Sequence, residues 1–385
     1  MLLAAASMFA LVVSSPWADA PVARANLSET VDFALNLASS NQKGTATDSG
    51  TVYDGIGGFS FAAWIRPDSV CTTAGRACMI VNKEMSWEIA VREGVLDFAI
   101  MGASTEWQWQ AVRTSNATMP RVPTGMWSHI AMAVDRAGND LYLFINGRLA
   151  YSLLNNTTSV PTTGRDSTEV LTIGGRANGG DEFAGAIDEV RLYNTARITE
   201  AEAQADMGTW GPTSTANLAA YFDFNEASGT TMNNKSTAAG AGPSLTLNGS
   251  PTRFDVKTVD TTTVQNETIV TFPRTYLTSV GGYTLPSGPT RARVLVVGGG
   301  GGGGSDNAGG GGAGGVYDTS RSATPTIAVS PGVYPITVGQ GGFGGRDATT
   351  PSTEQAGVSG WPTSAFGLTA GRGGVGGSGD RKSVV

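Results

Sequence analysis

The chain has 385 residues, with 25 Lys plus Arg against 32 Asp plus Glu and a net charge of −7. That length predicts two domains, and an acidic chain without basic runs argues against nucleic acid and anionic membrane surfaces as partners. Of the 54 glycines, 28 fall between positions 298 and 379, so one part of the molecule is compositionally unlike the rest.

Residues 1–25 read as an export signal. The apolar run over 1–13 is too short to span a bilayer comfortably. Ala18-Asp19-Ala20 and Ala23-Arg24-Ala25 both fit a small-x-small cleavage pattern. Pro21 disfavours the first, so cleavage after Ala25 is expected. A basic n-region is missing, and the alternative is a buried N-terminal helix. No later run is long and apolar enough to span a membrane.

From Asn26 onward, short β-prone runs alternate with turns: 31–37, 59–65, 78–83, 87–91, 95–101 and 107–113. Such spacing means a sandwich or barrel. Cys71 and Cys78 flank a six-residue loop, and export favours a disulfide between them. A loop that short stabilises by roughly 2–3 kcal/mol. Two cysteines with His129 as the single histidine disfavour a zinc site.

Residues 125–151 hold two apolar runs joined by Arg136-Ala137-Gly138-Asn139-Asp140, which predicts a β-hairpin. Asn146-Gly147 predicts a tight turn into a further strand. Apolar residues fill both parities, as in inner strands of a two-sheet sandwich. Trp64, Trp127, Ile130, Val134, Leu143, Ile145, Ile187 and Leu192 are therefore expected in the core. Thr199-Glu200-Ala201-Glu202 is a capping box opening a short helix over 200–207 that ends at Gly208. Residues 217–226 are expected to pair onto an edge of the same sandwich, the alternative being the start of a second module.

Four blocks carry a family resemblance. They are Gly58-Phe59-Ser60-Phe61-Ala62-Ala63-Trp64-Ile65-Arg66-Pro67, the hairpin at 125–151, Leu171-Thr172-Ile173-Gly174-Gly175, and residues 183–193 around Ala186-Ile187-Asp188-Glu189. In that order they resemble LamG-like domains of the concanavalin A-like jelly-roll superfamily. The resemblance implies an all-β, two-sheet antiparallel jelly-roll sandwich over 26–252. It specifies the fold far better than the function.

Residues 253–379 differ in character. A strand over 291–297 leads into seven glycines, 298–304. A second glycine run precedes Val316, and Pro331-Gly332-Val333-Tyr334 is followed by 341–345 and Ser364-Ala365-Phe366-Gly367. This order resembles the glycine-rich domain of bacterial exoproteins and some phage tail proteins. Such glycine content costs backbone entropy on folding. One outcome is a flexible spacer. The other is a C-terminal glycine-rich β module of bundled polyglycine II segments, packed closely because no Cβ intervenes. Aliphatic strands placed among the glycine runs favour the ordered form. Residues 380–385 read as a non-native tail.

Jelly rolls of this superfamily include glycan hydrolases with a Glu-x-Asp-x-(x)-Glu strand. Here Ala186 stands where the first carboxylate would be. Adjacent Asp188 and Glu189 are expected on opposite strand faces, so a paired-carboxylate mechanism is disfavoured. His129 is expected to satisfy a core hydrogen bond. The glycine runs lack Gly-Lys-Ser/Thr and are no phosphate loop. Trp107 and Trp109, two apart on one strand, form either a sugar-stacking platform or part of the core. By analogy with relatives, Asp188 could serve a Ca²⁺ ion with Asp181, Glu182 and Asp54 as further oxygen ligands. The alternative is that Asp188 bonds backbone amides of the closing turn.

These readings converge on an exported, non-catalytic recognition protein, secreted or held at the cell surface. Its jelly roll would bind a glycan or a surface protein, with no transmembrane segment after leader removal. The second expectation is a structural or phage-tail-like adhesin whose working part is the glycine-rich module. A glycoside hydrolase comes third.

Overall fold

The computed structural model describes residues 9–14, 33–38, 41–103, 107–110, 121–208, 215–226, 228–255, 260–264, 267–272, 283–285, 287, 290–304, 309–339, 341–342, 344–345 and 357–377. The chain divides into two compact units, Val31–Lys257 and Met1–Thr30 with Thr258–Val385.

The described strands begin with β1 (Phe9–Ser14), β2 (Phe33–Leu37), β3 (Lys43–Ala46), β4 (Phe59–Pro67) and β5 (Ala77–Lys83). Next come β6 (Trp87–Arg92), β7 (Val95–Met101), β8 (Trp107–Gln110), β9 (Ser128–Asp135), β10 (Asp140–Ile145) and β11 (Arg148–Leu153). They are followed by β12 (Leu171–Ile173), β13 (Gly185–Tyr193), the helix α1 (Glu200–Gly208), β14 (Leu218–Phe222), β15 (Thr231–Met232), β16 (Leu245–Asn248) and β17 (Thr252–Asp255).

Two antiparallel sheets make the sandwich. The first runs β11-β10-β9-β4-β13-β2-β17, with β14 also on β13, and the second runs β15-β16-β3-β12-β5-β6-β7-β8. Because β14 joins the first sheet and β15-β16 the second, residues 217–250 close this sandwich rather than open another module. The all-β jelly roll expected from the sequence is what forms.

Alternation places one face of each strand inward. On β4 the inward set is Phe59, Phe61, Ala63 and Ile65, all essentially inaccessible. Phe59 and Phe61 meet Trp87 of the opposite sheet at ring centroid distances of 5.0 and 6.1 Å. The organising hairpin forms as predicted, with Asp135 opposite Asp140. Asn146 (φ 50°) and Gly147 (φ 71°) turn the chain into β11, the left-handed pair that a two-residue hairpin loop needs. Ile130, Val134, Leu143, Ile145, Ile187 and Leu192 are buried as expected. Trp64 and Trp127 are only half-buried, a departure from the expected core. They lie on the outward parity, as described below.

The capping box is present. The Glu202 backbone N–H donates to Thr199 Oγ1 (3.2 Å), and the Thr199 N–H donates to Glu202 Oε2 (3.1 Å). α1 then lies over the outer face of the first sheet, where Ala203 packs on Ala62, Ala131, Ala133 and Phe144. Cys71 and Cys78 form the disulfide, with Cα atoms 5.6 Å apart.

The second unit contains β18 (Asp260–Val264), β19 (Glu267–Phe272), β20 (Tyr283–Leu285), β21 (Arg291–Val297) and β22 (Val316–Asp318). After these come β23 (Ile327–Ala328), β24 (Gly332–Tyr334), β25 (Ile336–Thr337), β26 (Thr363–Ala365) and β27 (Leu368–Ala370). One sheet runs β18-β19-β1-β21-β22. β1 lies inside the segment expected as a leader, and it is a strand hydrogen-bonded between β19 and β21 rather than the buried helix of the alternative. A small core gathers Leu285, Ala292, Val294, Val296, Ile336, Val338 and Ala365.

The glycine runs are ordered, not a spacer. Residues 298–304 form a central rod that bonds its neighbours at every third residue, the polyglycine II period. Gly298, Gly301 and Gly304 donate to the carbonyls of Gly315, Gly312 and Gly309 at 2.8–3.0 Å. Gly299 and Gly302 donate to Trp361 and Val358, while Gly300 and Gly303 accept from Gly342 and Gly345. Gly373 and Gly376 donate to Gly299 and Gly302. Four segments thus surround one rod. A Cβ at Gly301 would stand 1.8 Å from the Gly374 carbonyl oxygen, so only glycine fits there.

Candidate functional site

The outer face of the first sheet is read directly from its register, because cross-strand partners share a face. One row is Thr252–Asn36–Ala186–Arg66 across β17, β2, β13 and β4. The next is Asp188–Trp64–His129 across β13, β4 and β9. Trp127 precedes His129 by two and shares its parity. The small side chains of Ala34 and Ala186 leave room for an indole, and Trp127 packs on both. α1 covers the other end of this face, and two half-buried indoles, the Arg66 guanidinium and the Asn36 amide lie together at the end that no described helix covers. Arg66 is fixed by its Nε donating to the Gly125 carbonyl (3.0 Å), and Asn36 Nδ2 donates to Thr252 Oγ1 (2.9 Å).

Beneath the indoles lies a polar floor. His129 is fully buried and its ring meets Trp64 edge-on at 5.4 Å. Neither ring nitrogen has a hydrogen-bonding partner among the described residues, which corrects the expectation of a satisfied core histidine. Burial, aided by the charge of Arg191, holds its pKa down at about 3. Asp188 is buried, and its Oδ1 accepts from the N–H of the next residue in the strand, Glu189, at 2.8 Å.

The strand compared above with the hydrolase motif, β13, carries a bulge. Glu189 has φ 53°, and the register slips between Asp188 and Arg191, which pair with Trp64 and Ala62. The bulge inserts one residue, so Arg191 shares the outer face with Ala186 and Asp188. Simple alternation of Asp188 and Glu189 does not hold here. The Glu189 carboxylate is consumed instead by Arg191 Nη2 (2.5 Å) and the Tyr221 hydroxyl (2.9 Å), all buried. Positions 186, 188 and 191 therefore hold Ala, Asp and Arg, and the neighbouring Glu189 carboxylate is already bound by Arg191 and Tyr221, so no free carboxylate pair faces outward among these positions.

The other expected ligands lie apart. Asp54 is fully buried with Lys83 Nζ at 3.4 Å and the Ser167 N–H at 3.2 Å. Burial outweighs the lysine and raises its pKa to about 6. Lys83 Nζ also reaches Asp48 Oδ1 (2.7 Å) and the carbonyls of Ser167 and Glu169, so an ammonium already occupies this oxygen cage. Asp181 pairs with Arg176 Nε at 2.9 Å, beside Glu84 and Glu88 on the same guanidinium. Glu182 Oε1 accepts from the Gly180 N–H at 3.2 Å. Its own backbone amide is the main group holding this carboxyl below the usual range. Asp188, Asp54 and the Asp181–Glu182 pair thus stand in three different environments. No group of three or more metal-ligating side chains occurs among the described residues.

Trp107 and Trp109 sit on β8, the end strand of the second sheet, opposite Met101 and Ala99. Their side chains lie outside the described residues. Trp64 and Trp127, expected in the core, are the half-buried indoles of the outer face instead. The signal was present in Ala62-x-Trp64-x-Arg66, since a strand face ending in arginine is not an inter-sheet face.

Residues 39–204 match the family model of the concanavalin A-like lectin/glucanases superfamily, and residues 277–384 match that of a glycine-rich domain. The chain thus joins a concanavalin A-like domain to a glycine-rich one. No curated protein matches it. Among solved structures, a candidate carbohydrate-binding protein from Bacteroides ovatus is similar with a TM-score of 0.42 and 17% identity, over 59% of this chain and 60% of that one. Domain 4 of an extracellular arabinanase from Geobacillus stearothermophilus, solved with arabinotriose, gives a TM-score of 0.32 and 18% identity over 51% and 87% of the two chains. A SAP-like pentraxin from Limulus polyphemus gives 0.29 and 11% over 51% and 80%.

Proposed function

We propose that this protein is an exported, non-catalytic recognition protein whose jelly roll binds a glycan on the outer face of its first sheet. The observation that carries this is the juxtaposition of half-buried Trp64 and Trp127 with Asn36 and Arg66. Indole faces offer apolar area for a sugar ring, while the amide and guanidinium offer donors to its hydroxyls. Asp188 is buried and the adjacent Glu189 carboxylate is tied up by Arg191 and Tyr221, which favours binding over hydrolysis. No helix among the described residues is long and apolar enough to cross a membrane.

Glycan-array binding by the full chain tests the reading. Trp64→Ala and Trp127→Ala should each weaken binding by about ten-fold or more, or 1.4 kcal/mol. Because both indoles are half-buried, their stability cost should stay below the about 3–5 kcal/mol of a fully buried tryptophan. Binding unchanged in both variants would reject this face. Trp107→Ala and Trp109→Ala, run alongside, then test the β8 platform. The ordered polyglycine bundle supports a second reading, a structural adhesin in which the glycine-rich unit is the working part.

A further inference from the structure

The glycine-rich unit carries an open edge. β22 is the end strand of its sheet and, among the described residues, pairs with β21 alone. The same register continues beyond the strands into the rods, so that Gly298 to Gly304 face Gly315 to Gly309. Residues 309–318 therefore form one continuous ten-residue stretch, seven of rod and three of strand, in which Gly312 and Gly315 also donate to the Gly374 and Gly371 carbonyls at 2.8 Å. Most of it is exposed. Gly310, Gly311, Ala313 and Gly314 make no backbone bond among the described residues.

This edge lacks every common guard against pairing. Natural edges are blunted by lysine, proline or bulges. Residues 309–318 contain no proline and no lysine, and their one charge is Asp318, already paired with Arg321. Val316 and Tyr317 stand 63% and 41% exposed on it, and Val375, on the adjoining rod, is 42% exposed. An unguarded apolar edge of this length is an interaction surface.

We propose that the edge at 309–318 pairs with the same edge of a second copy of this chain. The bundle itself shows what a rod accepts. Residues 298–304 pair antiparallel with 309–315 and parallel with 371–377, both at a three-residue period. An identical rod from a second copy meets the same donors and acceptors, and two-fold pairing closes the assembly as a dimer. With a single charge on the edge, like meets like without repulsion despite the chain's net −7.

Sedimentation equilibrium of the full chain across the micromolar range tests this. The expected result is a reversible dimer. Val316→Lys combined with Tyr317→Lys should raise its dissociation constant by about ten-fold or more, with an unchanged circular dichroism spectrum. Ala313→Lys, on the rod, should act the same way without touching the strand. Val333→Lys is the control, since Val333 is 64% exposed but lies on β24 in a different sheet, and it should leave the dimer intact. A wild-type chain monomeric throughout the range overturns the proposal. So does dissociation by Val333→Lys equal to that of the edge variants.

Discussion

His129 shows how one buried side chain sets a pH response. Its pKa is about 3 in the fold against an ordinary 6.5, with burial the first cause. The unfolded chain therefore takes up a proton between those limits and the folded chain does not. Stability from this residue is complete above pH 6.5 and falls as pH drops toward 3, by about 1.4 kcal/mol for each pH unit. Asp54, raised to about 6, works in the opposite sense over part of that window, so the raw profile mixes the two. A comparison isolates His129. The stability difference between His129→Phe and wild type should grow in favour of the variant as pH falls from 6.5 to 4, measured by urea melts at each pH. Near pH 7 the variant should be close to neutral, because a phenyl ring replaces an imidazole whose nitrogens have no hydrogen-bond partner among the described residues. Parallel pH profiles for the two proteins would show that His129 titrates normally.

Elements with local signals were legible in the sequence. The β9–β10–β11 meander follows from Asn146-Gly147 and the apolar runs, and α1 from its capping box, because each depends on residues within a few positions. What decides the candidate face is non-local. Trp64 reads as core until β13 and β9 are set beside it, and the bulge at Glu189 follows from buried partners such as Tyr221, 32 residues away in the chain. The glycine rods were legible as a type, but not in their phase. The structure supplies that phase. A methyl at Gly301 meets the Gly374 oxygen, whereas at Gly310 it meets nothing within 4 Å. Gly301→Ala should lower the stability of this unit by about 3 kcal/mol or more, a steric clash with backbone that has no flexible end to yield. Gly310→Ala should raise it by about 0.4–1 kcal/mol by restricting the unfolded chain. Equal effects from the two substitutions, in denaturant melts, would contradict the three-residue period.

At the scale of the molecule, two ways of burying a backbone are joined in one chain. The jelly roll buries aromatic and aliphatic side chains between two sheets, so its stability comes mainly from apolar area. The glycine-rich unit has a small core and satisfies much of its backbone rod to rod, so its stability depends on hydrogen bonds that a Cβ at packed positions such as Gly301 would break. Each unit encloses its own core, and each should unfold with its own cooperativity. Calorimetry of the full chain should show two transitions that respond to different perturbations. Reduction of Cys71–Cys78 opens a short loop worth roughly 2–3 kcal/mol. For a unit of this size that lowers the jelly-roll midpoint by about 5–10 °C, and the other transition should not move. Gly301→Ala should do the reverse, lowering the glycine-rich transition and leaving the reduction-sensitive one in place. The N-terminal strand gives a third handle. β1 lies between β19 and β21, so a chain lacking residues 1–25 keeps every strand of the jelly roll but loses the middle of the glycine-rich sheet. Its reduction-sensitive transition should coincide with that of the full chain, while the other should shift. A single transition moved by all three perturbations would mean that the two units fold as one.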